Sequence, residues 1–303
     1  MALYHSFKEL IGETPLVELN NMDVPDGVHV YAKLELSNPA GSVKDRVGEY
    51  MIADAEKRGV LREGSTIVEA TAGNTGIGIA LAALNKGYRV IFTVPTKFSE
   101  EKQKIMRALG AEIVNTPYEG GMLGAVAEAE RIMATIPGSV SLKQFENQSN
   151  PRCHYETTGP EIYRDLNGKV DYAVMGAGSG GTFSGILRYL KERNPNVKGI
   201  LADPVGSIIG GGEKGNYEIE GIGNDFIAKT MDTSLIDGVV KVRDSDAFAM
   251  CRKLAKREGI LAGQSSGAAM VAVMELANGI DKGNIVTVFP DRGDRYLSKG
   301  LFD

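Results

Sequence analysis

What most constrains this chain is an alternation running along nearly its whole length. A short apolar run is followed by a turn holding glycine or proline, then by apolar residues three and four apart. The first pattern reads as a strand and the last as a helix. Residues 28–36 alternate, with Val28, Val30, Ala32, Leu34 and Leu36 on one side and His29, Tyr31, Lys33 and Glu35 on the other, which predicts a half-covered strand. Asn38-Pro39-Ala40-Gly41 breaks it, and Ser42 stands as the N-cap of a helix running to Gly59. Strands are expected at 66–69, 90–94 and 112–115, helices at 75–86, 99–110 and 122–136, and a polar loop at 144–151. The second half repeats the scheme, with strands at 172–175, 199–202 and 285–289 and helices at 182–193, 244–258 and 267–278. Strands joined through helices lie parallel, with helices on both faces. The expected fold class is therefore α/β with mainly parallel sheets, as two packed three-layer units or as one large domain. Ligands then bind at the carboxyl ends of the strands. Residues 206–223 form the longest stretch without a period, and so long a loop in a compact chain is more often functional than idle.

Composition narrows the partners. A chain of 303 residues can hold two such units, and its net charge of −5 offers no basic footprint for nucleic acid or an anionic membrane. The cysteines are Cys153 and Cys251 and the histidines His5, His29 and His154, with no spacing that suggests a metal site or a disulfide framework. Two thiols fit a reducing compartment, and the opening MALYHSFKEL lacks the apolar core of a signal peptide. The expectation is a soluble cytoplasmic protein acting on small molecules, with no membrane span.

Three turns could carry chemistry. Gly176-Ala177-Gly178-Ser179-Gly180-Gly181-Thr182 joins a strand to a helix, where clustered glycines admit an anion to the free N–H groups and positive end of the helix. A tight turn without a ligand is the plainer alternative. Gly176, Gly178 and Gly181 also satisfy G-x-G-x-x-G, with Asp203 at the end of a later strand, so this half alone would equally suit a dinucleotide. Thr71-Ala72-Gly73-Asn74-Thr75-Gly76 joins another strand to a helix and offers donors suited to a carboxylate; read alone, it serves as well as an Asn/Thr N-cap. Asn38-Pro39-Ala40-Gly41-Ser42-Val43-Lys44-Asp45-Arg46 places a lysine where a cation opposes the helix dipole. A solvated surface lysine is the ordinary reading of such a residue, whereas a neutral, imine-forming amine would remove the conflict.

Taken together, in this order and spacing and with Gln264-Ser265-Ser266-Gly267, these segments resemble the cysteine synthase and cystathionine β-synthase family of fold-type-II pyridoxal-phosphate enzymes. The likeness runs from Ile11-Gly12-Glu13-Thr14-Pro15-Leu16 to Asp294-Arg295-Tyr296-Leu297-Ser298. It implies a fold like the tryptophan synthase β chain, with a smaller mobile domain at 37–148, a larger cofactor-anchoring domain at 1–36 plus 149–303, and a homodimer. It makes Lys44 the lysine that carries pyridoxal 5'-phosphate as an imine and acts as the catalytic base. Asn74 would bond the phenolic oxygen, Gly178, Ser179, Gly180, Gly181 and Thr182 would hold the phosphate, and Ser265 would face the pyridine nitrogen. Thr71, Ala72, Thr75 and Gln144 would take the substrate carboxylate. Ala70 and Ala72 depart from the proline and serine of many relatives, which puts in doubt any hydroxyl contact to the leaving group or the incoming sulfur at residue 72.

The activity so implied is β-replacement on O-acetyl-L-serine or L-serine by a sulfur nucleophile, with sulfide, giving L-cysteine, placed first. Residues 203–208 and 218–226 look closer to cystathionine β-synthases, so homocysteine giving cystathionine is the alternative, with release of hydrogen sulfide from cysteine as a further possibility. A nicotinamide oxidoreductase or a silent scaffold would leave Lys44 unexplained. Cys153-His154, following Pro151 in a loop, is read as structural or surface; Met133, Met250, Met270 and Met274 as core fillers; and Asp291-Arg292-Gly293-Asp294-Arg295 as a solvated turn with an ion pair.

Overall fold

The computed structural model describes residues 3–96 and 99–303. In chain order, β1 (Leu16–Glu18) and β2 (Val28–Lys33) precede α1 (Lys44–Lys57), β3 (Thr66–Ala70), α2 (Asn74–Ala83), β4 (Arg89–Pro95), α3 (Glu100–Ala108), β5 (Glu112–Thr116) and α4 (Gly121–Thr135). Next come α5 (Ser149–Cys153), a π-helical turn (His154–Thr158), α6 (Gly159–Asp165), β6 (Tyr172–Gly176), α7 (Gly181–Arg193) and β7 (Lys198–Pro204). The chain ends with β8 (Gly238–Val242), α8 (Asp244–Glu258), α9 (Gln264–Ala277), β9 (Gly283–Val288) and a 3-10 helix (Gly293–Lys299). It divides into two compact units, Met1–Ile11 with Lys44–Ser149, and Gly12–Val43 with Asn150–Asp303.

The larger unit is built on a sheet of order β1-β2-β9-β6-β7-β8. Only β1 runs antiparallel to its neighbour. Successive side chains alternate between two cores. Val174, Ala202 and Ile285 pack with Ala268, Met270, Ala272 and Val273 of α9. Ala173, Met175, Leu201 and Val286 pack with Phe183, Ile186, Leu187 and Leu190 of α7. Such strands are covered on both faces, as a parallel sheet requires.

The smaller unit holds the parallel sheet β3-β4-β5. From α4, Ala129 and Ile132 cover Val68 and Ile91 on one face. α1 and α2 pack on each other at two glycines: a Cβ on Gly48 would lie 2.3 Å from the Gly78 carbonyl oxygen, and one on Gly78 would lie 2.1 Å from that of Lys44. Only a residue without a side chain lets two helix backbones come this near.

The α/β class and parallel sheets are as the sequence implies, with local corrections. The first long strand stops at Lys33 rather than at residue 36, because Glu35 turns inward to accept the Thr14 hydroxyl at 2.7 Å and opens a 3-10 turn. Lys33 itself, expected on a wet face, is fully buried, 2.9 Å from Glu161 and donating to the Thr14 carbonyl at 2.7 Å. Residues 149–165 are helical rather than loop. Pro151 falls in the first turn of α5 and Pro160 in that of α6, where a missing N–H costs little. Cys153 and His154 are therefore buried helical residues, not surface ones. Asp291 and Arg295 are likewise buried; Asp291 accepts the Tyr296 hydroxyl at 2.6 Å instead of standing in water.

Candidate active site

In the smaller unit, six of the residues singled out from the sequence fall on three neighbouring features. Lys44 is the first residue of α1. Gly78, one turn beyond Asn74, is in backbone contact range of Lys44, so the glycine crossing sets the first turn of α1 against the first turns of α2. Thr71 and Thr75 are buried, while Ala72 and Asn74 are half-buried in the turn that leaves the carboxyl end of β3. The N-cap of α2 is Gly73, which supplies no side-chain cap, so the capping reading of Asn74 and Thr75 does not hold. The Thr75 hydroxyl instead donates to Oε1 of Gln144 at 2.6 Å, joining residues 69 positions apart.

Gln144 is delivered by a turn anchored on Glu69, a residue that sequence reasoning passed over as part of a strand. Glu69 Oε2 accepts from the Ser141 hydroxyl at 2.7 Å and from the Leu142 and Lys143 amides at 2.9 and 3.3 Å. Burial pushes its carboxyl above the ordinary range, and the Ser141 hydroxyl and the amides of Leu142, Lys143 and Gln144 pull it part of the way back. The available signal was an acid between Val68 and Ala70 in a run whose period leaves no wet face.

The larger unit carries the glycine turn and Ser265. After β6 the carbonyls of Ala177, Gly178 and Ser179 are drawn back into the protein. They accept from the Gly223 amide at 2.8 Å, from Asn224 Nδ2 at 2.9 Å and from the Thr230 hydroxyl, respectively. In a trans peptide the following N–H points opposite to the carbonyl. The amides of Gly178, Ser179 and Gly180 therefore face away from these donors, next to the unsatisfied first amides of α7, whose first turn holds no acidic residue. Gly180 has φ +80°, and a Cβ on Gly178 would lie 2.5 Å from the Gly221 carbonyl oxygen. Asn150 Nδ2 donates to the Ser179 hydroxyl at 2.9 Å. Thr182 Oγ1 lies 3.1 Å from His154 Nε2, whose other ring nitrogen lies 2.9 Å from the Thr158 hydroxyl. Asn150, His154, Asn224 and Thr230 support the turn from positions far away in sequence, and only the fold reveals them.

Ser265 is the second residue of α9 and buried; a Cβ on Gly221 would lie 4.0 Å from its hydroxyl oxygen. The segment around Gly221 thus touches both Gly178 and Ser265. The notable long loop is held by Asp203, whose Oδ2 accepts from Lys241 Nζ at 2.6 Å and from the Gly210 amide at 2.9 Å. Asp203 is committed to that structural task, which removes the dinucleotide reading of G-x-G-x-x-G plus a distant acid. Among the described residues no group of three or more His, Cys, Asp or Glu could hold a metal ion.

In the larger unit, inward-tied carbonyls at a glycine turn that opens a helix leave backbone amides suited to an anion such as a phosphate. The family model of pyridoxal-phosphate dependent enzymes matches residues 7–291, and the chain is such an enzyme. Within that class it belongs to the cysteine synthase and cystathionine β-synthase family. It is 50% identical over 304 residues to the O-acetylserine dependent cystathionine beta-synthase of Bacillus subtilis, over 100% of this chain and 99% of that one. It is 47% identical over 305 residues to a cysteine synthase of Helicobacter pylori, covering 100% of both chains. The solved structure of the O-acetylserine dependent cystathionine beta-synthase of Helicobacter pylori matches with a TM-score of 0.95 at 46% identity, again over 100% of both chains. The residues here suit that cofactor's phosphate: the carbonyls before the Gly178, Ser179 and Gly180 amides are tied back into the protein, and no carboxylate stands in the first turn of the helix.

Proposed function

We propose that this enzyme replaces the acetoxy group of O-acetyl-L-serine with a sulfur nucleophile. With sulfide the products are L-cysteine and acetate. The turn with tied-back carbonyls supports this reading, because its amides would suit a phosphate in the same unit as Ser265. When bound, pyridoxal phosphate supplies the electron sink for the pair left as Cα loses its proton. Gly178, Ser179, Gly180, Gly181 and Thr182 would hold its phosphate, Asn74 its phenolic oxygen, Ser265 its pyridine nitrogen and Lys44 its aldehyde carbon. Lys44 Nζ would take the Cα proton as general base. The Cβ–O bond breaks with acetate taking the pair, a Cβ–S bond forms, and Lys44 Nζ returns a proton to Cα. Thr71, Ala72, Thr75 and Gln144 orient the substrate through its carboxylate, and the moving segment begins at Lys44 rather than at residue 37, because residues 37–43 group with the larger unit.

A second reading, homocysteine as the acceptor, is favoured by the names of the 50% identical Bacillus relative and of the matching Helicobacter structure. Sulfide and homocysteine offered together with O-acetyl-L-serine, with products identified by mass spectrometry, decide between the two. Absence of acetate release with either acceptor refutes both. The same reading makes the enzyme a cytoplasmic homodimer. The buried thiols of Cys153 and Cys251 support a reducing compartment, and exposed Leu3, Tyr4 and Phe7 support a covered face. Light scattering at the mass of one chain would refute the dimer. No helix among the described residues is long and apolar enough to cross a membrane.

A further inference from the structure

β3 is the edge strand of the smaller sheet, and Val140 extends that edge: Val68 N donates to Val140 O and Val140 N to Thr66 O, both at 2.9 Å. One residue later the chain leaves the edge and wraps the Glu69 carboxyl. A hydroxyl and successive amides converge on one oxygen, Lys143 adopts φ +53°, and the turn is closed by Glu146 N and Asn147 N on the Lys143 carbonyl at 2.9 Å. Asn147 Nδ2 also holds the Leu142 carbonyl at 3.0 Å. Consecutive amides around an αL residue make an anion nest, here filled by a side chain of the protein itself. The β ladder has no need of that acid, since Glu69 pairs with fully buried Phe92 and a carboxyl in such surroundings is costly. Its bonds all go to the turn that presents Gln144. The amide of Gln144 is in turn fixed at Oε1 by the Thr75 hydroxyl, which directs Nε2, its donor end, away from Thr75.

We propose that Glu69 is a positioning residue for substrate: by holding the 141–147 turn it sets the Gln144 amide for the α-carboxylate of the amino acid. This rests on the proposed function and adds to it a residue that touches neither cofactor nor substrate. A glutamine side chain has three free torsions, and ordering it only on binding would weaken binding by the entropy then lost.

The test is an absorbance titration of the cofactor-loaded enzyme with L-serine and with L-serinamide, which lacks the carboxylate. Glu69→Leu removes the acceptor. It should raise the dissociation constant for L-serine about tenfold, the equivalent of one lost charge-assisted hydrogen bond, and leave that for L-serinamide unchanged. Glu69→Gln keeps one carbonyl acceptor and should fall between Glu69→Leu and wild type. Should Glu69→Leu fail to fold, Ser141→Ala removes a single donor and should shift L-serine alone by about threefold. Equal shifts for both compounds, or none for either, overturn the role of Glu69. A wild-type spectrum that ignores both compounds and O-acetyl-L-serine as well overturns the proposed function and this inference with it, whereas a responsive wild type with indifferent variants overturns the inference alone.

Discussion

Replacing Gly78 with alanine puts one methyl group where two helices leave no room. Its Cβ would lie 2.1 Å from the Lys44 carbonyl oxygen, 2.6 Å from the Lys44 carbonyl carbon and 3.2 Å from the Asp45 amide nitrogen. All three are backbone atoms in the first turn of α1, so no rotamer change relieves the contact. Ordinary contact is about 3.5 Å, so α1 and α2 must part by more than about 1 Å. Alanine gains about 1 kcal/mol over glycine in a helix interior, but overpacking costs about 1–3 kcal/mol or more, and here the clash is backbone to backbone. A net loss of about 2 kcal/mol lowers the melting temperature by roughly 3 °C for a chain of 303 residues. The movement also displaces Lys44, and if Lys44 is the reacting amine proposed above, about 1 Å there costs roughly a hundredfold in rate. Thermal melts and turnover with O-acetyl-L-serine measure both effects. Gly124→Ala is the control: it lies within α4, a Cβ there meets nothing within 4 Å, and it should melt no lower than wild type. If Gly78→Ala melts and turns over like wild type, the crossing is not what positions Lys44.

Gly178→Ala, whose Cβ would lie 2.5 Å from the Gly221 carbonyl oxygen, should weaken cofactor retention about tenfold or more in dialysis against buffer while leaving the smaller unit's melting behaviour intact. Burial pushes the Cys251 thiol up to about 12, so native protein at pH 8 should leave it unreacted with iodoacetamide, and denatured protein should not. The unfolded thiol ionises near pH 9 and the folded one near 12, so the unfolded state loses protons first. Stability should therefore fall across that window by up to about 1.4 kcal/mol per pH unit, a slope that Cys251→Ala reduces in alkaline melts.

Much of the scaffold was legible because burial imposes a period. The runs around Val174 and Ile285 alternate between two apolar cores, and the helix containing Phe183, Ile186, Leu187 and Leu190 repeats at three and four. Misreadings arose where a polar side chain acts across the chain. Glu35 reaches Thr14 and ends a strand whose alternation would have carried it further, and α5 and α6 were hidden by prolines that sit harmlessly in first turns. β1 is three half-exposed or exposed residues, Leu16–Glu18, too short a run to show a period. The glycine turn could be recognised, but not the reason for its glycines, which is the approach of Gly221 and Met231, nor the carbonyl ties to Asn224 and Thr230. The bond between Thr75 and Gln144 and the nest around Glu69 join segments about 70 residues apart, and no local pattern encodes such a meeting.

Borohydride reduction of the cofactor-loaded enzyme followed by peptide mapping tests the assignment of the imine-forming amine most directly. The expected result is a single peptide, spanning the start of α1, that carries the cofactor on Lys44. Cofactor found on any other lysine, or a reduced enzyme that still releases it on denaturation, would contradict the chemistry proposed here.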